Sequence, residues 1–173
     1  SFSQKERWDN APEELVDLYK SAYKKYKKND IQEAINNLTI AIEIDSNYRS
    51  AYAFRGQLYK DQKLYSKAFL DYSKALEISD YNSFRTLKDI GHIRFELKEY
   101  DESFKIFDKL EKKDGVDIGT KYMKAISAYY LGDYETAIEG FNKSIIFDHQ
   151  EGNWLGYDGE TKACYFRANS KLK

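Results

Sequence analysis

Cysteine, histidine, proline and methionine are scarce in this chain, which holds one Cys, two His, one Pro and one Met among 173 residues. A lone Cys164 excludes an internal disulfide and a thiolate metal cage. It leaves the compartment open, with a slight lean toward a reducing, cytoplasmic one. Two histidines, His92 and His149, are few for a catalytic site, which needs titratable groups in mutual reach. No apolar run approaches the roughly 18 residues that span a bilayer, which argues against direct membrane insertion. No signal peptide is visible either, but the chain starts at Ser1 without a methionine, so that absence carries no weight. An excess of either charge is also missing. The 28 Lys and Arg against 29 Asp and Glu give a net charge of -1 and a pI near 6.2, which argues against nucleic-acid binding by phosphate neutralisation. Phosphate-cradling glycine loops, nucleophile elbows and HExxH are absent, as is the strict alternation that marks strands.

What is present is aromatic and periodic. Sixteen Tyr and ten Phe supply large contact areas at low entropic cost, many of them as core. In GDYETAIEGFNKSI (132–145), Tyr134, Ala137, Ile138, Phe141 and Ile145 form the apolar stripe of an amphipathic helix. This stretch has three relatives at 29–42, 63–76 and 98–110. Aligning Ala34, Ala68, Ser103 and Ala137 gives separations of 34, 35 and 34 residues. Twelve positions before each stands a small residue: Ala22, Gly56, Gly91 and Ala125. Glycine inside a helix costs about 1 kcal/mol relative to alanine, so Gly56 and Gly91 need a packing reason, and close approach of two helices supplies one. The repeating unit is thus a helix A with the small residue, a tight turn, and a helix B.

These residues resemble the tetratricopeptide repeat family, whose unit is 34 residues long. Residues 49–82 match best, with Tyr52, Gly56, Tyr59, Tyr65, Ala68, Tyr72 and Ala75 at signature positions. Residues 15–48 carry Ala22, Ala34, Leu38 and Ala41; 84–117 carry Leu87, Gly91, Tyr100 and Phe107; 118–151 carry Ala125, Gly132, Tyr134, Ala137 and Phe141. The departures are Ser103, Leu110 and Ser144 in place of alanines. The family's late proline is replaced by Ser46, Asp80, Gly115 and His149. The resemblance implies an all-α fold of antiparallel helix-turn-helix repeats stacked as a right-handed superhelical solenoid. In it, Leu38, Tyr72, Phe107 and Phe141 fill the space between repeats and the small residues set helix spacing.

Ahead of the four repeats, 1–14 reads as a lead segment in which Asn10, Pro12 and Glu13 announce a helix starting near residue 11. Trp8 there reads as a staple on that helix rather than a ligand platform. After the repeats, 152–160 reads as an inserted loop with Trp154 and Tyr157, either a plain linker or a donor of aromatics to a site. Residues 161–173 read as a terminal helix. Ala163, Phe166, Arg167 and Ala168 echo Ala51, Phe54, Arg55 and Gly56, so this helix is either a cap or a truncated fifth repeat.

Chemistry finds little purchase. His92 shares a helical face with Asp89 and Glu96, a trio common on charged helix surfaces; His149 suits a helix end; Cys164 suits a small buried site. No cofactor is implied and the chain reads as non-enzymatic. The lysines of YKKYKK (23–28) read as a solvated helix end in preference to a basic docking patch.

In the resembled family, helix A residues line a concave groove that receives peptides. Carried over position by position, the first repeat offers Val16, Tyr19, Lys20, Tyr23 and Tyr26, and the second Ser50, Ala53, Phe54, Gln57 and Lys60. From the third come Arg85, Lys88, Asp89, His92 and Phe95, and from the fourth Gly119, Tyr122, Met123, Ile126 and Tyr129. One subclass grips chaperone C-terminal carboxylates through fixed Lys, Asn and Arg positions. Those positions hold Tyr19, Tyr23, Phe54, Arg85 and Asp89 in one register and Ala53, Gln57, Asp89, Gly119 and Met123 in the other, so the clamp is absent. The groove candidates are Tyr19, Tyr23, Tyr26, Phe54, Gln57, Lys88, His92, Phe95, Tyr122, Met123, Ile126 and Tyr129, an aromatic and apolar set suited to a protein or peptide with hydrophobic anchors. Self-association as a homo-oligomer, and service as the regulatory or targeting part of a larger protein, stay open beside that reading.

Overall fold

The computed structural model describes residues 12–79, 83–112, 117–151, 166, 168 and 169, the side chains of 144–151 excepted. Expectations placed on Trp8, Asn10, the 152–160 loop and Cys164 lie outside these residues, as do the side chain of His149 and most of 161–173. Among the described residues there are eight helices and no strand: α1 Glu13–Lys27, α2 Ile31–Ile44, α3 Arg49–Asp61, α4 Tyr65–Ile78, α5 Phe84–Glu96, α6 Tyr100–Glu111, α7 Ile118–Leu131 and α8 Tyr134–Glu151. Helix α1 starts at Glu13, later than the sequence pattern suggested. Pro12 is the cap residue instead, its ψ of 138° being non-helical while its carbonyl accepts from the Leu15 and Val16 amides at 3.0 and 3.2 Å.

One turn is used four times. Asn29, Lys63, Lys98 and Gly132 have φ of 62°, 59°, 62° and 84°, the left-handed conformation that closes a helix. The next amide in each case reaches back five residues: Asp30 to Lys25, Leu64 to Tyr59, Glu99 to Arg94 and Asp133 to Ala128, at 2.8–3.0 Å. That is the long bond of a Schellman motif, and it reverses the chain so that helices α1/α2, α3/α4, α5/α6 and α7/α8 form antiparallel hairpins. The residue donating this bond also opens the next helix. Asp133 does so with a side-chain cap, accepting from the Thr136 amide at 3.1 Å. Asp117 caps α7 the same way, through the Thr120 amide at 3.0 Å.

The chain divides into two compact units, Ser1–Thr86 and Leu87–Lys173, with the border inside α5. In the N-terminal unit Leu15, Ala22, Ala34, Leu38, Ala41, Ala51, Leu58, Ala68 and Ala75 are fully buried, and Tyr72 nearly so. Small residues permit the helix approach and large ones fill it. Beneath them runs a polar link that sequence reading missed. Arg55 of α3 donates from Nε and Nη2 to both oxygens of Asp71 of α4, each at 2.8 Å, and from Nη1 to Thr39 of α2 at 3.0 Å. Hydrogen bonding to Asp71 pushes the guanidinium pKa up, against the burial that lowers it. The rings of Tyr52 and Tyr59 flank the cation at 5.7 and 6.0 Å.

In the C-terminal unit Phe107, Phe141, Ile93, Ala125, Ala128 and Ala137 are fully buried. Burying each of the two phenylalanines contributes about 2–3 kcal/mol. Gly91 shows why a glycine interrupts α5: a Cβ there would sit 2.9 Å from two ring atoms of Phe107. The alanine position occupied by Ser103 is explained as well. Its hydroxyl lies 3.0 Å from the Gly91 carbonyl and 3.1 Å from that of Ser127, which lies 2.7 Å from the Met123 carbonyl. Two hydroxyl protons can serve only two of these three contacts at once, yet in any such arrangement neither buried serine is left without a partner.

Candidate functional site

On α1, Tyr19, Tyr23 and Tyr26 recur at i, i+4 and i+7, and α3 brings Phe54 against all three. Its ring centroid lies 5.3 Å from that of Tyr19, 6.3 Å from Tyr23 and 5.8 Å from Tyr26. Tyr23 is 50% exposed while the other three are half-buried, so the cluster has an accessible rim and a packed base. Tyr48 lies below, edge-on to Tyr19 at 6.4 Å. Its buried hydroxyl has no hydrogen-bond partner, and burial, with Tyr19 next to it, pushes its pKa up to about 12. Gln57 is held within its hairpin, donating to Asp61 at 2.6 Å and accepting from the Tyr72 hydroxyl at 3.1 Å.

The C-terminal unit gathers a second aromatic face. Phe95 of α5 meets Tyr100 at 5.3 Å and Tyr130 at 5.6 Å, and Tyr100 and Tyr130 stack at 4.6 Å with 15° between planes. Tyr129 contacts Tyr130, Tyr134 and Phe166 at 5.5, 5.8 and 5.0 Å. Phe166 also lies parallel to Phe141 at 5.9 Å, repeating for α7 and α8 what Phe54 does for α1. Tyr122 leans on Phe141 at 5.9 Å, and Met123 packs at the edge of the same cluster.

Three candidates are placed differently from the groove expectation. Ile126 is 7% exposed and belongs to the buried cluster of Ala125, Ala128, Ala137 and Phe141. It is a core residue. Lys88 forms an ion pair with Asp117 at 2.8 and 2.9 Å. Burial of Asp117 works to raise its pKa, but Lys88 and the Thr120 hydrogen bonds outweigh this and hold it below the usual carboxylate range. His92 sets its ring edge-on to Phe107 at 5.3 Å. Sequence reasoning passed over Tyr100 and Tyr130 as site residues. The signal for Tyr130 was the doublet with Tyr129, whose second ring falls outside the family's groove positions but is 47% exposed, next to Leu131 at 46%.

Among the described residues no group of three or more His, Cys, Asp or Glu is placed to hold a metal, and no helix is long and apolar enough to cross a membrane. A cavity of about 80 Å³ is lined by Glu111, Lys121, Lys124, Thr136, Glu139 and Lys143. It is well below the ~300–1,000 Å³ of small-molecule sites. Its charges also pair locally, Lys124 with Asp108 and Glu111 at 2.7 and 2.8 Å and Lys143 with Glu139 at 2.6 Å. The surfaces with chemical character are therefore the two aromatic faces.

No known family profile matches the chain. It is 34% identical over 106 residues to the DnaJ homolog subfamily C member 7 homolog of Dictyostelium discoideum, an alignment covering 59% of this chain and 19% of that protein. The chain thus spans about a fifth of this relative. Among solved structures, a tetratricopeptide repeat protein from Parabacteroides merdae superposes with a TM-score of 0.78 at 20% identity, over 96% of this chain and 65% of the other. YrrB, described as a TPR protein with an unusual peptide-binding site, superposes with a TM-score of 0.75 at 16% identity, over 91% and 76%. At these identities the likeness concerns the fold.

Proposed function

The chain is a tetratricopeptide-repeat array in fold, and on that premise we propose that it is a non-catalytic scaffold capturing a protein or peptide segment on its aromatic helix A surfaces. Four repeats, 15–48, 49–82, 84–117 and 118–151, belong to the same reading. The observation that carries it is Tyr23, half exposed on the rim of a cluster whose other rings hold it in place. Tyr130 plays the same part in the C-terminal unit, stacked on Tyr100 with Leu131 next to it. Aromatic side chains held by their neighbours lose little entropy on binding and dominate contact energy at interfaces. A peptide-binding site in YrrB, a protein of the same fold, supports the class of ligand. The carboxylate clamp is not part of this reading. Its positions hold Tyr19, Tyr23, Phe54, Arg85 and Asp89 in one register and Ala53, Gln57, Asp89, Gly119 and Met123 in the other, so neither register carries the full Lys, Asn and Arg set.

Phe54 lies between α1 and α3, so alanine there would loosen the helix pair as well as the surface. Alanine at the exposed rings Tyr23 and Tyr130 is the cleaner test. Capture of co-purifying protein should weaken about tenfold or more with the circular dichroism spectrum unchanged. Full capture by the double variant would sink the reading. Self-association is favoured by a different observation: Ile40 and Ile44, one turn apart on α2, are 45% and 46% exposed. Sedimentation showing a monomer at all concentrations would remove it.

A further inference from the structure

The aromatic rim of the N-terminal unit is flanked by exposed cations, only some of which are paired among the described residues. Lys20, Lys24 and Lys27 recur at i, i+4 and i+7 along α1, adjacent to Tyr23, and all four side chains are exposed. From Asp17 to Asp30, five lysines face two aspartates, a net charge of +3. The whole chain carries -1, so everything outside this stretch sums to -4. Both aspartates are spoken for, Asp17 at 3.7 Å from Lys20 and Asp30 at 3.3 Å from Lys25. Lys24 and Lys28 have no acidic partner among the described residues. The Lys27 ammonium lies 5.4 Å from the Tyr23 ring centroid, so cation and ring form one composite surface.

Resting on the peptide-capture reading, we propose that this face recognises an acidic peptide segment in which Asp or Glu residues flank an apolar or aromatic side chain. The apolar side chain lies on Tyr23 and the rings behind it, and the carboxylates meet Lys24 and Lys27. Charge complementarity supplies both selection and steering: a carboxylate at this helix face is attracted, whereas a lysine in the same place is repelled. The range of the field separates this partner from other polyanions. At physiological salt a charge is felt over about 8 Å, so a short peptide lying across Lys24 and Lys27 senses the lysine-rich last turns of α1 rather than Glu13 and Glu14 in its first turn. A longer polyanion also meets Glu13 and Glu14 of the same helix. The face also exposes one large ring, Tyr23, where a membrane-lying helix needs an apolar stripe.

The test is selection of a random-peptide phage library on the full chain, run in parallel on a Lys24→Glu/Lys27→Glu variant. These lysines are exposed and make no ion pair among the described residues, so the variant should melt like the wild type. The wild type should enrich apolar residues flanked by Asp and Glu. A labelled peptide from that pool should bind the charge-reversed variant about tenfold more weakly, since two modest surface attractions become repulsions. The variant's own pool should shift toward Lys and Arg. Enrichment without acidic preference, or binding indifferent to charge reversal, would overturn this inference while leaving peptide capture standing. If nothing is enriched, peptide capture itself falls and takes the inference with it. Binding to phosphatidylserine vesicles or to a single-stranded oligonucleotide, with no acidic peptide selected, would also overturn it.

Discussion

Replacing Arg55 by methionine should be among the most damaging single changes in the N-terminal unit. The guanidinium makes two 2.8 Å hydrogen bonds to Asp71 and one of 3.0 Å to Thr39, with Arg55 and Asp71 side chains 16% and 7% exposed. Methionine fills much of the volume but leaves a carboxylate almost sealed from water without its cation. Breaking a buried pair on one side costs about 3–5 kcal/mol, a large part of the ~5–15 kcal/mol that holds an ordinary domain folded. Ion pairs fully exposed to solvent are screened and contribute far less, so the expected loss is well separated from that of a surface pair. Urea unfolding followed by circular dichroism measures the loss. Hydrogen exchange should place it in α2, α3 and α4, the helices that Thr39, Arg55 and Asp71 join, rather than in α7 and α8. The double change Arg55→Met/Asp71→Leu removes both charges and should return to within about 1–2 kcal/mol of the wild type. A loss below about 1 kcal/mol for Arg55→Met would refute the argument, as would a double variant as unstable as the sum of the two single ones.

Tyr48→Phe should stabilise the chain by about 1 kcal/mol in a thermal melt, because it deletes a buried hydroxyl without a partner. The same change should blunt alkaline unfolding. In the unfolded chain this phenol ionises near pH 10, but in the fold it keeps its proton to about 12, so the folded state binds more protons between those values. Stability is intact below pH 10 and falls by roughly 2–3 kcal/mol as pH rises through the window, a loss the phenylalanine variant should not share. Lys63→Gly and Lys98→Gly should each raise stability by about 0.5–1 kcal/mol in urea, since both lysines occupy the left-handed turn conformation that Gly132 adopts without a Cβ penalty. An unchanged or lowered midpoint would count against strain at these turns.

Much of the fold was legible because it repeats. Separations of 34, 35 and 34 residues between Ala34, Ala68, Ser103 and Ala137 recur in the left-handed turn residues Asn29, Lys63, Lys98 and Gly132. The glycine within α5 was readable as a close approach, because a helix carries that penalty only where a neighbour such as Phe107 leaves no room for a Cβ. The left-handed geometry at Lys63 and Lys98 was not legible residue by residue. Lysine has no local preference for it, and the hairpin imposes it.

The candidate site was legible by kind and only partly by address. Tyr19, Tyr23, Tyr26 and Phe54 fell on one surface because helical spacing fixes which side chains share a face. Ile126 and Tyr130 could not be sorted by the same rule. Which arc of α7 is covered depends on how the neighbouring helices pack on it, and that buries the isoleucine and leaves the tyrosine 47% exposed. The sequence by itself determined the helices, their period and the aromatic character of the residues they carry, since these follow from spacing along one chain. Tertiary structure alone decided that Arg55 meets Asp71 and Thr39, that Ser103 meets Ser127, and that Lys24 and Lys28 meet no carboxylate among the described residues. Each of those facts depends on groups brought together from separate helices or separate turns, and one residue's neighbours in sequence do not specify its neighbours in space.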